Sequence, residues 1–334
     1  MRLHAFAYYA KAFLAMRRGD LRVTYAPEYI GIEATNVCNF KCKFCPQSSP
    51  THHQAVPPTY LDEQRCALFL DKIRQSGVRT NVIHWTLDGE PFMHRQFADL
   101  CRIGVRFGFT RTHFATNGML CSRERLAAFP TKECAFTLAI DFCADASYFE
   151  TVRGTSGSWE TIRRNIAEIL RDEALSNISF EITDISSFGS RDRKRLDEGF
   201  LRLQHIFEQN DRIRFRKRTF HNATGLIRTL SDSPGKRYHV CPYPWSTFRV
   251  AASGKVVACC RDVQHKTVLG NLAHEDLIDI WNGKAMQELR SHLLQRRPDL
   301  STACSHCDLP YDNSKFSLAN LFAAAKGRLQ LFSR

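Results

Sequence analysis

Cys38, Cys42 and Cys45 stand in the spacing C-x3-C-x2-C. Three thiolates on one loop can hold three corners of a cubane iron–sulfur cluster, and they leave the fourth iron open, whereas complete clusters normally take four cysteines. A ferredoxin run spaces its cysteines differently, with two two-residue gaps before the three-residue gap. A zinc site is the competing reading, because His52 and His53 lie close enough in sequence to supply a fourth ligand. A second set comprises Cys241, Cys259, Cys304 and Cys307, and it ends in a C-x2-C pair. Four such cysteines suit a tetrathiolate site, either zinc or a closed cluster. Cys260 adjoins Cys259, and both cannot easily ligate one corner set. It reads either as a small buried hydrophobe or as a thiol that donates a hydrogen atom or exchanges an electron. Cys66, Cys101, Cys121, Cys134 and Cys143 lie singly and read as packing residues.

Arg212, Arg214, Arg216 and Arg218 alternate with Ile213, Phe215 and Lys217. On a strand the arginines share one face. Turned toward a cavity, they can grip phosphate or carboxylate through bidentate forks; turned outward, they form a solvated or ion-paired edge. His221 and Asn222 close this stretch, where contact with a substrate is possible. His84 and His113 lie inside strand patterns and read as satisfied core histidines.

These residues need elements to place them. From residue 29 onward, short apolar runs alternate with helical patterns. Strands are expected at 29–34, 81–87, 111–116, 135–140, 177–183 and 212–219, and helices at 61–76, 95–108, 122–129, 158–172 and 191–209. Such alternation means crossover units and a parallel sheet, with the chemistry at the carboxyl ends of the strands. After residue 220 the pattern changes. A polar linker at 231–236 precedes two strands, 246–251 and 255–259, around the Ser253-Gly254 turn signal, and then a helix at 276–294. Basic amphipathic helices are expected at 3–18 and 316–334.

The chain has 334 residues, of which 43% are apolar and 24% charged, as in ordinary globular proteins, so about two domains are expected. No stretch of about 18 uncharged apolar residues exists to span a membrane. Thirteen cysteines are too sparse for a disulfide scaffold, and the first twenty residues lack a signal-peptide pattern. A cytoplasmic location is therefore expected, where clustered cysteines serve metal or catalysis. The net charge of +13 attracts anions, but it is spread along the chain.

The loop EATNVCNFKCKFCPQ follows the first strand, and the later strands end in Gly89-Glu90-Pro91, Thr116-Asn117-Gly118 and Asp141. This arrangement resembles the radical S-adenosylmethionine (radical SAM) superfamily, with its C-x3-C-x-aromatic-C loop and its "GEP"-type stretch after the second strand. The resemblance implies an α/β fold, a partial (β/α)6 TIM-like barrel over 29–230, preceded by an N-terminal helix in 1–28. It implies a [4Fe–4S] cluster on Cys38, Cys42 and Cys45 whose open iron chelates S-adenosylmethionine. It further implies cofactor contacts from Phe44 (adenine), Gly89, Glu90 and Pro91 (near the methionine amino group), Asn117, Asp141 and Arg153. Ala139-Ile140-Asp141 departs from the Ser-x-Asp seen in relatives.

The later text, GKVVACCRD, LGNL, LIDIWNGKAMQELR and CSHC, resembles the short "twitch" form of the SPASM appendage. That resemblance implies a small hairpin-and-helix domain over 237–315, followed by a tail at 316–334. It also implies one auxiliary [4Fe–4S] cluster on Cys241, Cys259, Cys304 and Cys307, with Cys260 left over as a candidate catalytic thiol. The expected activity is hydrogen abstraction from a polar substrate such as a sugar, aminoglycoside or other natural-product intermediate, ending in dehydrogenation or epimerisation. Arg214, Arg216, Arg218 and His221 are the candidate substrate contacts. A reducing donor such as flavodoxin or ferredoxin is the expected partner, beside a small-molecule or peptide substrate. Two rivals are a peptide-modifying maturase and a basic nucleic-acid-binding iron–sulfur or zinc protein without catalysis. The second of these calls for exposed aromatics among the basic residues, and only Phe215 and Phe220 fit.

Overall fold

The computed structural model describes residues 2–190, 192–207, 210–227 and 237–311. In chain order the elements are α1 (Arg2–Arg18), β1 (Ile30–Ile32), α2 (His52–Ala55), α3 (Glu63–Gln75), β2 (Val82–Trp85), α4 (Phe97–Arg106), β3 (Arg111–Thr116), α5 (Arg123–Leu126), β4 (Ala135–Phe142), α6 (Ala146–Arg153), α7 (Ser158–Arg171), β5 (Ile178–Asp184), α8 (Arg193–Ile206), β6 (Ile213–Lys217), α9 (Tyr243–Ser246), β7 (Phe248–Val250), β8 (Lys255–Val257), β9 (Val268–Asn271), α10 (Leu277–Trp281) and α11 (Lys284–Leu294). The expected linker at 231–236 and helix at 316–334 lie outside the described residues. The chain divides into two compact units. One takes residues 33–67 and 81–220; the other takes the described residues up to 32, 68–80 and those from 221 onward. This division assigns β1 and the C-terminal part of α3 to the same unit as the C-terminal segment.

The unit of residues 33–67 and 81–220 is built on β2 to β6. They are all parallel and lie side by side in chain order. Each of β2 to β5 is followed by a helix, the repeat of an α/β barrel fold. Trp85, Phe114, Phe136 and Phe142 lie on the side that meets the helices. Trp85 and Phe114 both pack edge-on against Phe97 of α4, and Phe136 packs against Phe129. Phe142 stacks on Trp159 of α7 and meets Phe149 of α6. All four strand aromatics are buried, each contributing about 1.5–3 kcal/mol of apolar burial. The expected strand at 135–140 runs on to Phe142, so Asp141 lies within β4 and not after it. Helix α6 was absent from the sequence expectation. Its ends are nonetheless marked: Asp145 accepts from the Tyr148 N–H at its start, and Gly154 closes it in the left-handed region. The expected helix at 122–129 shrinks to Arg123–Leu126, four residues before Pro130.

In the other unit, β1 pairs in parallel with β7, and β7, β8 and β9 form an antiparallel meander. Strand β9 was not expected. The turn at Ser253-Gly254 is as expected, with Gly254 at φ +91°. The expected helix at 276–294 breaks into α10 and α11 at Asn282-Gly283. Asn282 turns its side chain away to pair with both the N–H and the carbonyl of Val23. Arg290 of α11 is fully buried. It donates to the carbonyls of Pro244 and Leu21 and lies over the Trp281 ring.

Candidate functional site: two cysteine centres

In the unit of residues 33–67 and 81–220, the loop from Cys38 to Cys45 is held from three sides. Asn117, just past β3, donates to Asn39 Oδ1 at 2.7 Å, and its side-chain nitrogen lies 3.9 Å from Cys38 Sγ. Gly89, at φ +71°, lies against the backbone of Thr35 and Asn36; a Cβ there would fall 2.2 Å from the Thr35 carbonyl oxygen. Gly154, at φ +63°, lies against Lys41, and a Cβ there would fall 2.4 Å from its carbonyl oxygen. Only glycine meets both demands, the left-handed backbone and the close approach. Lys43 N–H donates to the Val152 carbonyl of α6 at 2.9 Å, completing the attachment.

Glu90 is fully buried. It accepts from Thr116 Oγ1 at 2.7 Å, Asn117 N–H at 2.5 Å and Phe92 N–H at 3.1 Å, and its own N–H donates to the Val37 carbonyl. Burial raises its pKa, opposed by these hydrogen bonds. The glutamate thus ties the ends of β2 and β3 to the start of the cysteine loop. Pro91 opens the short 3-10 turn that Glu90 caps.

The charge at this centre is organised around Asp141. Arg218, just past β6, donates to its two carboxylate oxygens at 2.5 and 2.6 Å, and Arg153 reaches it at 3.3 Å. The Arg153 guanidinium is buried among Phe40, Phe44 and Phe149. Its Nε has no hydrogen-bond partner. Burial works to lower the Arg153 pKa, but Cys42, Asp141, Cys38 and Cys45 together raise it. Burial pushes the Cys38 thiol up to about 11 and that of Cys45 up to about 12, and raises that of Cys42. Iron bound on these three thiols would displace their protons.

All thirteen cysteines are free thiols, as metal ligation requires. The histidines of the zinc reading are engaged elsewhere. His52 Nε2 pairs with Asp88 Oδ2 at 2.8 Å, and His53 Nδ1 meets the Val56 carbonyl at 3.1 Å. Among the described residues no three His, Cys, Asp or Glu groups are set to hold a single metal ion. The three thiols, with an unpartnered buried guanidinium nitrogen beside them, fit a cluster and the carboxylate of a bound amino-acid moiety.

In the other unit, the thiols of Cys241, Cys259, Cys304 and Cys307 lie within electrostatic reach of one another. Burial is the main cause that raises each, to about 12 for Cys304. Cys259 Sγ accepts from the Arg261 N–H at 3.4 Å. Arg261 is buried and pairs with Asp308 at 2.9 Å. Asn222 accounts for the position of the C-x2-C loop. Its side chain donates to the His306 carbonyl at 2.7 Å, and its N–H donates to Asp308 Oδ2 at 2.9 Å. Cys260 is partly exposed and lies within electrostatic reach of Tyr243, Arg249 and Arg261.

The other expected residues are placed as follows. Phe44 packs against Phe188 and Phe220, with Arg218 over its ring. Arg216 pairs with Glu181 at 3.1 Å. His221 lies in the other unit and accepts from the Ala223 N–H at 3.1 Å. The sequence reading did not single out the buried His52–Asp88 pair, although Asp88 directly precedes Gly89. Nor did it foresee Asn222 as a loop fastener or Asn39 as the partner of Asn117.

Two family models match the chain. The radical SAM superfamily model covers residues 32–183, and the SPASM iron–sulfur cluster-binding domain covers 241–308. No curated protein matches. Among the solved structures that share the fold at low identity are the following three. BtrN in complex with AdoMet and 2-DOIA aligns at 16% identity and TM-score 0.59, over 88% of this chain and 96% of that one. Native anSMEcpe with bound AdoMet aligns at 14% and 0.57, over 91% and 96%. Streptococcus suis SuiB bound to its precursor peptide SuiA aligns at 16% and 0.53, over 94% and 76%. No helix among the described residues is long and apolar enough to cross a membrane. With three free cysteines on a glycine-clamped loop and four more gathered at residues 241–307, the chain belongs to the radical SAM superfamily and carries a C-terminal SPASM-type iron–sulfur domain.

Proposed function

We propose that this chain is a cytoplasmic enzyme that removes hydrogen from a polar small molecule (a sugar, aminoglycoside or related intermediate) and finishes by dehydrogenation or epimerisation. The observation that carries this reading is the presence of two separate cysteine centres, the second with an extra thiol at Cys260. When bound on Cys38, Cys42 and Cys45, the cluster and S-adenosylmethionine supply the radical that abstracts hydrogen. Arg153 offers its buried Nε to the cofactor carboxylate. Gly89, Glu90 and Pro91 would face the methionine amino group, Asn117 and Asp141 would set the rim, and Phe44 would lie near adenine. Cys241, Cys259, Cys304 and Cys307 hold one auxiliary cluster. Flavodoxin or ferredoxin serves as the one-electron donor.

The two outcomes differ in what Cys260 does. In epimerisation its S–H bond breaks and the hydrogen atom passes to the substrate carbon radical. The thiyl left behind is restored by one electron from the donor and one proton from solvent. In dehydrogenation the substrate radical would instead give one electron to the auxiliary cluster that Cys241, Cys259, Cys304 and Cys307 would hold and one proton to solvent, and Cys260 keeps its hydrogen. The test is Cys260→Ala in deuterated buffer. For epimerisation, the wild-type product carries solvent deuterium at the inverted carbon, and the variant makes 5′-deoxyadenosine without inverted product. A fully active variant whose product is two hydrogens lighter and free of deuterium eliminates the donor role. Absence of 5′-deoxyadenosine from the iron-loaded wild type, across an anaerobic panel of polar small molecules, overturns the enzyme reading.

A further inference from the structure

The strands β2 to β6 have a second face, turned away from the helices. On it the register sets His84, His113, Thr137 and Ser179 side by side across four neighbouring strands. The two histidine rings lie 5.2 Å apart, and Thr137 Oγ1 lies 3.2 Å from Ser179 Oγ. The next row toward the carboxyl ends is Ala115, Ala139, Glu181 and Arg214, and the row beyond is Asp141, Thr183 and Arg216. Parallel sheets are ordinarily covered on both faces by apolar packing. Here Ala115 is exposed and Ala139 half-buried, although each lies on a strand with a neighbour on both sides. Open space therefore stands over two small side chains, above a floor of four hydrogen-bonding ones. Thr137 and Ser179 bond to each other, and hydroxyl and imidazole groups in such a row offer further donors and acceptors to a polar guest.

The same face has a charge bias. Strands β3 to β6 and the residue after β6 place Arg111, Arg214, Arg216 and Arg218 on it, against Asp141 and Glu181, four cations to two anions. Glu181 meets Arg216 through Nε at 3.1 Å and so fixes where that guanidinium lies. Asp141 is shared by Arg218 and Arg153. The carboxylates thus orient Arg216 and Arg218 on this face.

We propose that this face binds a small polyhydroxylated molecule bearing an anionic group, a phosphate ester or a carboxylate. Its hydroxyls meet Thr137, Ser179, His84 and His113, and its anion meets Arg214 and Arg216. Planar forks of this kind suit both anions, and hydroxyl side chains both donate and accept toward a polyol. The inference rests on the function proposed above and narrows it, setting aside amine-rich substrates and peptides. The histidines that read as core residues in the sequence become specificity determinants.

The test is calorimetric titration of the iron-loaded protein with glucose 6-phosphate, glucuronate, glucose and glucosamine. At least one of the two anionic probes is expected to bind about tenfold or more tighter than glucose or glucosamine, and which of them binds tighter tells phosphate from carboxylate. The double variant Arg214→Gln, Arg216→Gln should erase that preference. Thr137→Val, which keeps the shape of the strand, and Ser179→Ala should weaken every bound probe by about three- to tenfold. Equal affinity for the four probes, preference for glucosamine, binding of none of them, or a preference that survives the double arginine variant overturns the inference. Cleavage of S-adenosylmethionine without substrate is read separately. Its loss in the wild type would break the enzyme reading, whereas intact cleavage with the wrong probe preference would break only this one.

Discussion

The two cysteine centres differ in how they are assembled. The first takes three thiols from eight consecutive residues, 38–45, and parts far away in sequence clamp the loop: Gly89, Asn117 and Gly154. The second takes four thiols spread from 241 to 307, and no short motif contains them. Yet each keeps one buried arginine paired with an aspartate, Arg153 with Asp141 and Arg261 with Asp308. Against the cost of burial, Cys42, Asp141, Cys38 and Cys45 raise the Arg153 pKa, and Tyr243, Cys307, Cys260 and Asp308 raise that of Arg261. The shared element is a fixed cation beside a thiolate set. The difference lies at the carboxylate: Asp308 also accepts from the Asn222 backbone, whereas Asp141 also holds Arg218. The second centre closes on the chain itself, while the first is wired toward the strand face where a substrate would lie.

The largest effect should come from deleting ligands. With both clusters loaded, about eight irons per chain are expected, since each cubane carries four. Changing Cys38, Cys42 and Cys45 to alanine should halve the iron and abolish 5′-deoxyadenosine formation. Changing Cys241, Cys259, Cys304 and Cys307 should also halve the iron but leave measurable cofactor cleavage. Iron assay and low-temperature electron paramagnetic resonance read both. Loss of all iron from either variant while it stays folded would erase the distinction between the centres, and stoichiometric zinc in the wild type would overturn both cluster assignments.

How much of this was readable in the sequence follows the same division. The compact C-x3-C-x2-C loop announces itself because ligand spacing is local chemistry, and β3 runs over the expected residues 111–116, with its buried side chains alternating. Helix α6 was missed although Asp145 and Gly154 bracket it, because eight residues with few periodic apolar positions give little signal. The dispersed set reads as a tetrathiolate site from its cysteines alone, but cluster rather than zinc follows only from the resemblance. The partners of Asp141 were not legible at all. That Arg218 would reach across from β6 to β4 depends on the parallel register through β5, which no local pattern encodes.

A smaller effect is expected from Asp141→Ala. It leaves Arg153 buried and Arg218 part-buried without their shared carboxylate. Removing one side of a buried ion pair costs about 3–5 kcal/mol when both partners are fully buried. Because Arg218 is 30% exposed, about 2–3 kcal/mol is the discounted expectation. Anaerobic denaturant midpoints would show it. The matching change Asp308→Ala should loosen the auxiliary centre instead. An Asp141→Ala protein as stable as wild type would mean that the two arginines find water or the sheet face equally good partners.

The smallest effects come from the two asparagines, and they sharpen the comparison most. Asn117→Ala removes the hydrogen bond to Asn39 in the first cysteine loop, and Asn222→Ala removes the one to His306 in the second. Each deleted hydrogen bond is worth about 0.5–1.5 kcal/mol net, so neither variant should unfold. What should change is how fast iron leaves. A loosened loop opens more often, and a chelator captures iron from the open form. A cost of about 1 kcal/mol corresponds to roughly fivefold faster loss. Asn117→Ala should speed release of half the iron, the half whose loss ends 5′-deoxyadenosine formation. Asn222→Ala should speed release of the other half and spare cofactor cleavage. The chelation time course, followed by visible absorbance with cleavage assayed at each point, separates the two. If either variant released both halves together, the centres would share one opening motion, and the contrast between a clamped loop and a fold-closed site would fail.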